Sequence, residues 1–114
     1  MEENMSDFLA ELKVLNENKD KIIEEVRGIS TQGVTKTQAQ NLRENAARTE
    51  SIDEILLYID YQCVRDRNLK AAGTRLSELI RRFKDRDKDN AIVLVRYMLG
   101  IFARWVMIES RRGD

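Results

Sequence analysis

The run Ala91–Ile108, AIVLVRYMLGIFARWVMI, constrains this chain more than any other stretch. It reads as one helix that is apolar around most of its circumference, broken only by Arg96 and Arg104. A helix of that kind has to be enclosed, either by lipid or by other protein. A spanning helix needs about 20 predominantly apolar residues, and an arginine near a bilayer centre costs about 2.5–3.5 kcal/mol. The run falls slightly short and holds both arginines well inside its ends. The preceding segment, Lys84 to Asp89, alternates in sign and so carries no orientation signal. The expected setting is the middle of a protein bundle, with no membrane partner.

Composition narrows the chemistry. The chain has 114 residues, 35% of them charged, with no proline and no histidine. That length allows one domain with a modest core. We expect a single helical domain over 1–114, with an N-terminal amphipathic helix and linker (1–29) leading into a helical core (30–114). Without histidine the usual neutral-pH general base is missing, as is the imidazole of zinc sites and nucleophilic triads. Cys63 has no histidine to activate it and reads as a small buried hydrophobe rather than a nucleophile. The five glycines form no phosphate-cradling loop. Asp85, Asp87 and Asp89 resemble a fragment of a calcium loop but lack its glycine and distal glutamate. The expectation is a non-enzyme with no metal and no cofactor. The acidic start Met1-Glu2-Glu3 is unlike a secretory n-region, and a lone cysteine suits a reducing cytoplasm.

No strand-like alternation persists, so the natural fold is all-α, a compact bundle of about five helices. The first runs from about Ser6 to Val26, with Phe8, Leu12, Leu15, Ile22 and Val26 as its core stripe, Ser6-Asp7 as its cap and Gly28 as its stop. A polar connector, 29–34, leads to Thr35-Lys36-Thr37-Gln38, a capping box. It opens a second helix, about Lys36–Arg48, whose buried face is Ala39, Leu42 and Ala46. Ser51 to Glu54 is a second box, opening a helix through about Val64 with Ile52, Ile55, Leu56, Ile59 and Cys63 inward. The fourth spans about Asn68–Lys84, with Leu69, Ala72, Leu76, Leu79, Ile80 and Phe83 inward and Gly73 placed for close packing. Asp85 to Asn90 turns the chain, and Asp87 or Asp89 caps the long hydrophobic C-terminal helix at the bundle's centre.

Formal charge is zero overall, yet it is divided. Residues 1–30 hold eight acidic and four basic side chains, a balance of −4, and residues 65–88 hold nine basic and four acidic, a balance of +5. Locally basic regions on a neutral chain suit contact with phosphate. On the second helix Lys36, Gln40, Arg43 and Ala47 share one stripe, with Arg48 on a neighbouring flank. On the fourth, Arg75 and Arg82 edge the apolar face on one side, and Lys70, Arg81 and Lys84 on the other. Arg96, Gly100 and Arg104 fall at i, i+4 and i+8 on the one polar sector of the last helix. These arginines are either paired inside with a carboxylate such as Asp53, Asp60 or Glu78, or exposed on a ridge that a sugar-phosphate backbone could approach. A solvated charged surface also accounts for any one of these residues singly.

Leu57, Tyr61 and Val64 repeat at i, i+4 and i+7 on the third helix, away from its core stripe. A domain this small has no room to bury a second face there, so these residues are an expected partner interface, for self-association or for a larger partner.

Several motifs, in their order and spacing, resemble the small helical subunit of type III-A CRISPR ribonucleoprotein effector complexes. They are Val34-Thr35-Lys36-Thr37-Gln38 opening a helix, Tyr58-Ile59 within the next, and Val95-Arg96-Tyr97-Met98 before the aromatic-rich Phe102 to Trp105. The likeness covers roughly residues 30–110. It implies a non-catalytic subunit present in several stacked copies, within a guide RNA-containing effector complex and beside its other subunits. It also implies contact with the target RNA backbone through basic side chains, in antiviral defence. The candidates for that contact are Lys36, Arg43, Arg48, Arg75, Arg82, Arg96 and Arg104. The alternative is a helical protein–protein adaptor or homodimerisation module without nucleic-acid binding.

Overall fold

Five α-helices follow one another in the computed structural model, which describes residues 2–112. They are α1 (Glu2–Arg27), α2 (Lys36–Arg48), α3 (Ile52–Arg65), α4 (Lys70–Arg86) and α5 (Ala91–Arg112), with a short 3₁₀ turn, Arg67–Leu69, leading into α4. Helix α5 is the element against which α1, α2 and α4 pack, while α3 lies on α4 and α2. Ala91, Leu94, Val95, Met98, Leu99, Phe102 and Val106 supply its buried face. By length and composition α5 could cross a bilayer, but its apolar side is spent on neighbouring helices. Its enclosure is incomplete, because Met107 and Ile108 stand exposed near its end.

Local signals account for the helix ends. The Gln38 N–H donates to Thr35 Oγ1 and the Thr35 N–H donates to Gln38 Oε1, both at 3.0 Å, which closes the expected capping box. At α3 only half of the expected box forms. The Glu54 N–H donates to Ser51 Oγ (3.1 Å), but the Ser51 N–H donates to Thr49 Oγ1 (3.0 Å), whose own hydroxyl donates to Glu54 Oε2 (2.7 Å). Thr49 has taken the reciprocal role as a relay. Asp87, rather than Asp89, organises the last turn: its Oδ1 accepts from the Asn90 N–H at 3.3 Å.

The connector between α1 and α2 is less polar in effect than in composition. Ile29 and Val34 are buried and anchor it to the core, and it lines one groove with Trp105 and Val106 of α5. Gly33 takes a positive φ of 80°, a conformation that glycine adopts without steric cost. At Gly73 the reason for glycine is packing, since a Cβ there would collide with the Sγ of Cys63. Helices α3 and α4 meet at that point, and the thiol points at the Leu69 carbonyl 3.8 Å away.

Helix α1 departs from its expected core stripe. Ile22 and Val26 are buried and Leu15 is half-buried, but Phe8 and Leu12 are exposed. Burial begins only at Val14, which shares a groove with Phe83, Asp87 and Leu94 at the α4–α5 corner. At the other end Arg27 lies over the ring of Trp105, 5.8 Å from its centroid. Helix α1 therefore runs alongside α5 in the same direction, and its first three turns extend past the start of α5. Ser6 and Asp7 are inside the helix and cap nothing, because the chain is already helical at Glu2. The inward faces of α2, α3 and α4 hold the residues expected of them, except that Ile52 and Cys63 are only half-buried, Leu69 is buried from the 3₁₀ turn before α4, and Ser77 is buried on α4 as well.

Candidate nucleic-acid interface

Ala39, Leu42 and Ala46 commit one side of α2 to the core, which leaves Lys36 and Arg43 exposed along its flank and Arg48 exposed on the far side. All three cations are exposed, and none has a hydrogen-bond or ion-pair partner among the described residues. Arg48 lies in the last turn, where a cation complements the helix dipole. Lys36 does the reverse, adding positive charge to the positive end of α2, in a first turn with no acidic residue. Its charge does not stabilise this helix, so the N-terminus of α2 is left electropositive. Glu44 tempers the stripe from within, accepting from the Gln40 amide at 3.3 Å.

The other candidates divide. Arg75 is held between helices: its guanidinium donates to Glu25 of α1 at 2.8 Å and to Glu78 at 3.2 Å. It closes α1 onto α4, and its charge is met within the chain. Arg96 takes neither of its two expected settings. Its Nε donates to the Ala46 carbonyl (3.0 Å) and its guanidinium NH2 to the Thr49 carbonyl (2.8 Å), with the exposed Glu50 carboxylate 3.7 Å away. Arg96 thus caps the C-terminus of α2 from α5, where carbonyls without intrahelical partners attract a cation. Arg104, two turns further on, is exposed and without a partner among the described residues. Between the two, a Cβ at Gly100 would meet nothing within 4 Å, so this sector of α5 opens to solvent.

Arg82 is exposed on the rim of a cleft between α1 and α4, where Lys21 and Arg86 join it. Ile22, Leu79 and Phe83 form the apolar floor of this cleft of about 70 Å³. The Arg86 guanidinium donates to Asn18 Oδ1 at 3.0 Å, a neutral acceptor that leaves its charge uncompensated. Sequence reasoning missed Lys21 and Arg86. Arg86 lies where a turn was expected, yet α4 continues through it. Lys21 belongs to the acidic first helix and joins the basic side only through the packing of α1 on α4.

The three residues of α3 expected to form a partner face are exposed. Leu57, Tyr61 and Val64 are 70%, 60% and 84% exposed on adjoining turns. Cys63, beside them, is half-buried, and burial pushes its thiol pKa up, with the Asp60 carboxylate adding to the shift. Such a thiol is a weak nucleophile near neutral pH. Among the described residues no three side chains of the metal-ligating types come together. Searches against protein-family models, curated proteins and solved structures find nothing that matches this chain.

Proposed function

We propose that this chain is a non-catalytic small subunit of an RNA-guided effector complex of the type III-A CRISPR kind, contacting the target RNA backbone through α2. The observation that carries the reading is the exposed, unpartnered set Lys36, Arg43 and Arg48 on a helix whose N-terminus is electropositive. Phosphate contacts of this kind position a strand without reading its sequence, as a complex that takes its specificity from base pairing requires. Arg104 and Arg82 are additional exposed cations for the same strand or a neighbouring one, Arg82 in a cleft that Lys21, Arg86 and the Glu25 carboxylate share. Arg75 and Arg96 belong to the scaffold in this reading.

The test begins with co-purification from cells carrying the neighbouring genes. A particle holding this chain and a guide RNA supports the reading, and recovery of the chain without RNA in every preparation removes it. Within such a particle, Lys36→Ala, Arg43→Ala and Arg48→Ala together should weaken target binding. The salt dependence should flatten by about 0.7 in log–log slope for each single-strand phosphate that α2 no longer neutralises. Unchanged affinity and slope would discard α2 as the RNA-binding surface.

A second reading, a helical protein–protein adaptor without nucleic acid, is favoured by the exposed Leu57, Tyr61 and Val64. Single-stranded RNA titrated against the assembled particle and against the isolated chain separates the two readings. The adaptor predicts no binding by the isolated chain and, in the particle, a salt slope that the Lys36, Arg43 and Arg48 substitutions leave unchanged.

A further inference from the structure

Two side-chain bonds tie α4 to α1. At one end Arg75 donates to Glu25 at 2.8 Å, and at the other Arg86 donates to Asn18 at 3.0 Å. The two donors lie about 16 Å apart along α4. Between these bonds the helices leave a cleft. Its floor is Ile22, Leu79 and Phe83, all buried. Lys21 of α1 and Arg82 of α4 stand exposed on its two walls.

Neither Lys21 nor Arg82 has an ion-pair partner among the described residues. Glu25 is the one carboxylate in the lining, and Arg75 already meets its charge. Glu17 and Asp87 lie past Arg86, in the next groove toward the α4–α5 corner. Asp87 is engaged there by the backbone and side-chain amides of Asn90. The middle of the cleft is thus an apolar floor under two uncompensated cations.

Size decides what such an opening takes. Its volume of about 70 Å³ is well below the ~300 Å³ at which small-molecule sites begin. It is also about half of a ~150 Å³ cavity that admits benzene. An aromatic ring or a nucleobase is too large for it, and a phosphate strand makes no use of the apolar floor. One aliphatic side chain fits, and the flanking cations complement a carboxylate close beside it.

We propose that this cleft binds an acidic peptide segment of a partner protein. One leucine, isoleucine or valine side chain enters the cleft, and an aspartate or glutamate next to it lies between Lys21 and Arg82. The apolar anchor supplies most of the affinity, because burying such a side chain is worth about 10- to 100-fold. The exposed cations select acidic neighbours and add less to the strength. Of the cations assigned to RNA only Arg82 takes part, so the assignment of α2 stands or falls separately.

Fluorescence anisotropy tests this with the full chain at about 0.1 M salt. The probe is a labelled hexapeptide of aspartate and glutamate with one central leucine. The wild-type chain should bind it saturably, one peptide per chain. Serine in place of the leucine should weaken binding about 10- to 100-fold, and tryptophan should weaken it as well. Lys21→Glu and Arg82→Glu should each cost about fivefold. Arg65→Glu, the same charge change on α3, should stay within about twofold. All three positions are exposed, and far-ultraviolet dichroism confirms folding; the peptide substitutions test the cleft without altering the chain. No binding by the wild type, equal affinity for the leucine and serine peptides, or an equal loss in Arg65→Glu overturns the proposal. So does a cleft that binds oligouridylate instead and loses it in Lys21→Glu and Arg82→Glu, since it would then serve an RNA backbone.

Discussion

In the C-terminal half of α1, Ile22 and Val26 are closed off in the core, while Met5, Phe8 and Leu12 stand exposed in the N-terminal half. Both halves carry the same heptad-like spacing, and both are helical. The difference is in the neighbours. The C-terminal half runs beside α5 and α4, and the N-terminal half has passed the corner where those helices meet. Periodicity records which side of a helix is apolar; it does not record where the surface that would cover that side ends.

Substitution of the two halves should give the largest contrast. Ile22→Ala is expected to cost about 2–5 kcal/mol, as for other large-to-small core changes, whereas Phe8→Ala should stay within about 0.5 kcal/mol. Urea unfolding of both variants checks this, and equal losses would mean that the N-terminal half folds back on the bundle. Gly73→Ala tests the tightest interior approach and should cost about 1–3 kcal/mol by overpacking against Cys63. Adding Cys63→Ala should recover part of that loss in a double-mutant cycle.

The same contrast between satisfied and unsatisfied residues separates Arg96 and Arg104 of α5. Arg96→Ala should cost about 1 kcal/mol, because the Ala46 and Thr49 carbonyls lose a charged donor at a partly solvated site. Arg104→Ala should leave stability within about 0.5 kcal/mol of wild type. Thermal melts compare the pair directly, and a larger loss at Arg104 would reverse their roles.

The smallest expected effect is on acid stability. The hydrogen bond from Lys84 to Asp53 (2.7 Å), with the charge behind it, holds the Asp53 carboxyl below its ordinary value. The lowered pKa means that the folded state binds fewer protons there than the unfolded state. Its contribution is present above the unfolded carboxyl pKa of about 3.9 and is lost as pH falls through the lowered value. Lys84→Met should therefore reduce the steepness of acid unfolding slightly. Denaturant midpoints from about pH 6 down to pH 3 would show it, and an unchanged acid limb would assign no role to this exposed pair.

Much of the fold was legible in the residues. The Thr35 box, the inward faces of α2 and α4 and the close packing at Gly73 follow from short-range rules that operate within a few turns. The candidate interface was only half legible. Lys36, Arg43 and Arg48 could be placed outward because α2 has one narrow apolar face. Arg75 was a candidate contact and Arg96 stood open between a paired and an exposed setting; both are committed in the structure, to partners, Glu25 and the α2 terminus, that lie 50 residues away along the chain. Lys21 and Arg86 were hidden for the same reason, since their cleft exists only where α1 crosses α4.

By itself the sequence determined the helices, their apolar sides and the need of α5 for enclosure, since these depend on spacing and on local hydrogen bonding. Tertiary structure alone decided which apolar faces found cover and which charges found partners. Both depend on where distant elements meet, and no local pattern encodes that.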